Sequence, residues 1–69
     1  MTALPWYVIS NDIGTILAVY GNALGDEARE KAKDIAAQHG PVFLHHVLAN
    51  RPHVGGSISM TGTIEPFYG

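Results

Sequence analysis

Residues 22–39 carry the one helical period in this chain, and that stretch constrains everything around it. Leu24, Ala28, Ala32, Ile35, Ala36 and His39 fall on one side of a helix, and Arg29, Glu30, Lys33, Asp34 and Gln38 on the other. This is the spacing of a single amphipathic face. Asn22 or Asp26 is expected to cap the start, and Asp26 and Glu27 suit the positive end of the helix dipole. Gly40-Pro41 is a strong stop, because glycine accepts the backbone conformation of a helix end and proline cannot continue the helix. The inner face is mostly alanine, which lets a helix lie close against a sheet.

The flanking segments read as strands. Residues 5–10 include Trp6, Tyr7, Val8 and Ile9, all strand formers. Ser10-Asn11-Asp12-Ile13-Gly14 supplies turn chemistry, and residues 15–20 form the returning strand of a hairpin. A third strand spans residues 42–50. Arg51-Pro52-His53-Val54-Gly55-Gly56 is a turn, and residues 57–61 alternate, with Ile58 and Met60 opposite Ser57, Ser59 and Thr61. That alternation predicts a fourth, edge strand. Thr63-Ile64-Glu65 extends it, and Pro66-Phe67-Tyr68-Gly69 is a tail. The order is strand, strand, helix, strand, strand. With the third strand beside the first, the fold class is α+β: a single helix packed on a small, mainly antiparallel sheet of three to four strands (ββαββ).

Strand parity then exposes an imbalance. In the third strand, Val42, Leu44, His46 and Leu48 share one face, and Phe43, His45, Val47 and Ala49 the other. In the second, Thr15, Leu17 and Val19 oppose Ile16, Ala18 and Tyr20. In the first, Trp6 and Val8 oppose Tyr7 and Ile9. None alternates cleanly between apolar and polar, as a solvated sheet face does. One helix covers one face, so the other is expected to present apolar side chains as an interaction surface. Trp6, Tyr7, Phe43, His45 and Val47 are its candidate residues, and parity does not fix which face the helix takes. Composition agrees: apolar residues make up 46% of the chain and charged residues 14%, against an ordinary charged share of about 25%.

At 69 residues the chain is one domain, residues 1–69. So small a core rarely supplies more than ~3–5 kcal/mol, and small domains commonly add disulfides, a metal or a partner. The absence of cysteine removes disulfides and thiolate zinc sites. It also suits a reducing compartment. The opening Met1-Thr2-Ala3-Leu4-Pro5-Trp6 lacks the basic start and apolar run of a signal peptide, and no stretch approaches a membrane span, so a cytoplasmic location is expected.

Motifs for chemistry are sparse. His45 or His46 with His53 is the candidate metal or ligand site, since neutral imidazole is a common metal ligand. His45 and His46 are adjacent on a strand, so they point to opposite faces and cannot share one ion. The spacing matches no zinc pattern. Ser57 and Ser59 follow His53 without a nucleophile elbow, and the carboxylates Asp26, Glu27, Glu30 and Asp34 decorate the helix surface. No enzyme activity and no cofactor are expected. Four Lys/Arg against six Asp/Glu leave a charge of −2, and three of the basic residues sit among helix acids. This argues against nucleic acid, although Trp6, Tyr7, Tyr20 and Phe43 offer stacking surfaces.

The run Trp6-Tyr7-Val8-Ile9, Gly14-Thr15-Ile16, Val19-Tyr20-Gly21 and then Glu27-Ala28 with Ala32 resembles small phage and prophage proteins of strand-strand-helix-strand layout. It covers about the first forty residues and is compositional. The resemblance implies a phage-type accessory or inhibitor protein that binds a host or defence protein, and it transfers no site residue. The expected function is therefore a small interaction module. It would pair with itself as a homodimer, or with another protein, through an apolar sheet face.

Overall fold

Asn11 sets the first turn. Its side-chain Oδ1 accepts the N–H groups of Ile13 (3.1 Å) and Thr15 (2.9 Å), and its backbone N–H donates to the Thr15 carbonyl at 3.0 Å. Gly14 closes the turn at φ +84°, in the left-handed region that favours glycine. In the computed structural model, which describes residues 3–68, this turn joins strands β1 (Leu4–Ser10) and β2 (Ile16–Gly21).

A short 3₁₀ turn (Asn22–Leu24) leads into helix α1 (Gly25–His39). The expected side-chain cap is absent: Leu24 occupies the N-cap position with no capping hydrogen bond, and Asn22 bonds elsewhere. At the other end the expected stop holds, with the Gly40 N–H closing on the Ala36 carbonyl at 3.1 Å. Strand β3 (Val42–Ala49) pairs with β1, and β4 (Ile64–Phe67) pairs with β3. The sheet is antiparallel throughout in the order β2-β1-β3-β4, with one helix on it: an α+β fold.

The helix buries Ala28, Ala32 and Ala36 against Ile9, Val42 and Leu44, with Tyr7, Leu17, Ala18, Tyr20, Ile35 and Phe67 packed around them. Leu24 and His39, expected on the inner face, are exposed. β2 does not keep one parity along its length. The pairing slips between Ile9 and Ser10, so Ile9 faces Ala18 and Ser10 faces Ile16. This bulge places Leu17 and Ala18 together on the helix side and turns Ile16 to the opposite face.

Two expectations are corrected beyond β3. Residues 57–61 are not a ladder strand; only Ser57 bridges, to Thr15. The fourth strand is Ile64–Phe67, so Pro66 and Phe67 belong to the sheet rather than to a tail. Proline is tolerated there because β4 is an edge strand. Gly69 lies outside the described residues.

The connection of residues 50–63 is a strap. It leaves β3, crosses to the outer side of β2 and returns to β4. On the outer side, the Gly55 N–H reaches the Ile16 carbonyl, the Ile16 N–H the Gly56 carbonyl, and the Ile58 N–H the Gly14 carbonyl, each at 2.8 Å. β1 lies between β3 and β2, so the strap must pass over the sheet face opposite the helix. That corrects the expectation of an uncovered second face: Val8, Ser10 and His45 on it are fully enclosed. No helix among the described residues is long and apolar enough to cross a membrane.

Candidate interaction surface

β1 and β3 outrun the helix. Eight residues of β3 span about 27 Å and fifteen helical residues about 22 Å. α1 begins at Gly25 against Tyr7: a Cβ there would lie 3.0 Å from Tyr7 Cζ. Beyond Tyr7 the strands continue through the pairs Trp6–Val47, Pro5–Leu48 and Leu4–Ala49 with no helix over them. Leu48, on the helix face, is accordingly 73% exposed; Leu4, on the opposite face with Trp6, is 55% exposed. At the same end, Leu24 and Val54, 41% and 68% exposed, border a groove of about 410 Å³ with Trp6, Val19 and Pro52. Trp6 is fixed in place, its indole N–H donating to the Ala49 carbonyl at 3.0 Å.

Next along the helix face is a polar cluster. The Tyr7 and His46 rings stack with centroids 4.3 Å apart and planes 3° from parallel. The Arg29 guanidinium lies 5.7 Å from the Tyr7 ring centre, a cation–π arrangement. Arg29 Nε also meets a Glu65 carboxylate oxygen at 3.5 Å, and His46 Nε2–H donates to Asn22 Oδ1 at 2.8 Å. The cluster ties helix, β1, β3 and β4 together at the surface. Exposed pairs of this kind contribute little each.

Under the strap the chemistry differs. Ser10 Oγ lies 2.7 Å from His45 Nε2 and donates to Met60 Sδ at 3.6 Å. With the hydroxyl proton on sulfur, Nε2 carries the imidazole proton and donates to Oγ. Nδ1 is left as an acceptor without a partner among the described residues. Burial disfavours the charged imidazolium and holds the His45 pKa below its ordinary value of 6.5. A serine beside a histidine is a nucleophile–base pairing, but both residues are fully enclosed: their bond joins β1 to β3, and the Ser10 contact with Met60 links that pair to the strap. A second cavity of about 440 Å³ sits beneath the strap, with Ile16, Val47, Ala49 and Ile58 in its wall and His53 and Ser57 at its rim.

The five residues expected on one surface are distributed over two. Trp6, Phe43 and Val47 lie half-buried on the strap face, His45 is enclosed beneath the strap, and Tyr7 sits on the helix face. The candidate ligand histidines are also separated. His45 is enclosed, His46 holds Asn22 on the helix side, and His53 is exposed on the strap. Among the described residues no three His, Asp or Glu side chains gather as a metal site requires. Leu24, Leu48 and Val54 are the surface residues that parity alone does not single out. Leu48 shares its parity with the core residues Val42 and Leu44, and its exposure follows only from where the helix ends. Compared with known proteins, the chain matches no protein-family model, no curated protein and no solved structure.

Proposed function

We propose that this chain is a protein-binding module whose contact surface is the Trp6 end of the sheet. One observation carries the reading. Among the described residues six large apolar side chains are exposed, and four of them, Leu4, Leu24, Leu48 and Val54, lie at that end, on both faces of the sheet, while Ile13 and Tyr68 lie at the other. Scattered exposed apolar residues are ordinary in any protein, but a cluster of them marks a contact surface. The occupant is another protein chain, a second copy or a partner, and the role is binding rather than catalysis. A cytoplasmic accessory or inhibitor protein of phage type is the setting in which we place it.

Photoreactive side chains introduced singly at positions 24, 48 and 54, with 13 and 38 as controls, test this. Discrete adducts, to the chain itself or to one other protein, are expected from the first three positions only. Equal yields at positions 13 and 38, or no adduct from any position, would overturn the proposal.

A further inference from the structure

We propose that the free stretch of β2, residues 17–21, is a strand-addition site for an extended, basic segment of a partner protein. This rests on the reading that the chain binds protein, and it specifies where and what kind.

The two edges of the sheet are treated differently. The outer edge at β4 is four residues long and carries Glu65 and Pro66, a charge and a residue with no N–H. Both discourage another strand from pairing there. At the β2 edge the strap occupies Ile16 and stops. The remainder, Leu17-Ala18-Val19-Tyr20-Gly21, has no charge and no proline. Among the described residues, its outward backbone groups have no backbone partner. An open row of N–H and C=O groups accepts an extended chain.

The two flanks of this edge state what that chain should carry. On the strap side, Val19 and Gly21 border the groove lined by Trp6, Leu24 and Val54. On the helix side, Tyr20 borders a shallow depression lined by Asp26, Glu27, Glu30, Lys31 and Asp34. Two of these carboxylates have a cation beside them: Arg29 lies 3.9 Å from Asp26 as well as 3.5 Å from Glu65, and Lys33 lies 3.7 Å from Glu30. Glu27 and Asp34 meet none within ion-pair distance among the described residues, so they are the two carboxylates an added strand would find. Side chains of an added strand alternate between the two flanks. A segment alternating apolar residues with Lys or Arg therefore meets apolar surface on one side and carboxylates on the other. A second copy fits poorly. Antiparallel pairing of β2 with itself sets two α1 helices side by side and brings the same acidic stripe against itself.

The test uses the full ¹⁵N-labelled chain and two synthetic capped heptapeptides, one alternating Lys and Val and one alternating Glu and Val. The Lys peptide is expected to give saturable shifts and slowed amide exchange centred on residues 17–21, and the Glu peptide none. Glu27→Lys with Asp34→Lys, both on the exposed helix face, should weaken Lys-peptide binding by about tenfold. Val19→Pro, which removes an N–H within the edge, should abolish it. Equal response to both peptides overturns the charge assignment. Shifts at Leu4 and Leu48 with residues 17–21 unchanged overturn the edge while leaving the Trp6 end as a contact surface. Slowed exchange at residues 17–21 on concentrating the chain alone assigns the edge to a second copy and overturns the basic segment.

Discussion

The Ser10–His45 pair lends itself to a double-mutant cycle, because both partners are fully enclosed and one ring nitrogen is already without a partner. Ser10→Ala leaves the imidazole with no hydrogen bond at either nitrogen. His45→Leu leaves the Ser10 hydroxyl with only the Met60 thioether, a weak acceptor. Leaving a buried polar group unsatisfied costs about 1–3 kcal/mol, whereas removing both partners is close to neutral. Each single variant should therefore lose about 1–3 kcal/mol, and the double variant should recover most of the loss, a coupling of similar size. Urea unfolding followed by the emission of Trp6, the only tryptophan, reads these values. The pH dependence has a fixed sign. The folded pKa of His45 is depressed below 6.5, so the unfolded chain binds the extra proton first. Stability from this group is fully present above 6.5 and declines as pH falls below it toward the folded value. The double variant lacks that component, so its stability should fall less between pH 8 and pH 5 than that of the wild type. Additive single losses, or identical pH slopes in the two proteins, would refute the reasoning.

Two further substitutions probe the strap and the last strand. Gly14→Ala forces a Cβ to 2.6 Å from the Ile58 carbonyl at φ +84°; a loss of about 1–3 kcal/mol is expected, with faster exchange of the Ile58 amide. Phe67→Ala removes a half-buried ring from the helix face of β4. About 2 kcal/mol should be lost, less than the ~3–5 kcal/mol of a fully buried phenylalanine because this ring is not fully enclosed; an unchanged unfolding midpoint would mean that β4 does not hold the core.

The first hairpin and the helix are legible in the sequence because each rests on local chemistry, whereas the placing of β3 beside β1 follows from the order and direction of the elements. Asn11 and Gly14 make a turn, alanine recurs on one helix face, and Gly40-Pro41 ends it. The fourth strand is misread for a physical reason. Ile58 and Met60 alternate with Ser57 and Ser59 because one side of the strap faces the sheet, and one-sided burial gives the same period whether or not a ladder forms. Pro66 hides the true strand, since a breaker is tolerated at an edge. The bulge at Leu17 and Ala18 carries no glycine or other local mark; it arises from how β2 meets both β1 and the strap. Parity correctly sends His45 and His46 to opposite faces, yet it is silent on which face the long connection covers. For the same reason Leu48 reads as core, although the helix ends before reaching it.

Replacing Leu24, Leu48 and Val54 together by serine and measuring unfolding in urea asks whether the apolar Trp6 end serves contact or stability. Exposed side chains away from the core each change stability by about 0.5 kcal/mol or less. If these residues form a contact surface, the triple variant should stay within about 1.5 kcal/mol of the wild type. A loss of several kcal/mol would contradict this. It would mean that the three side chains are part of the packed fold and that no apolar end is left for a partner.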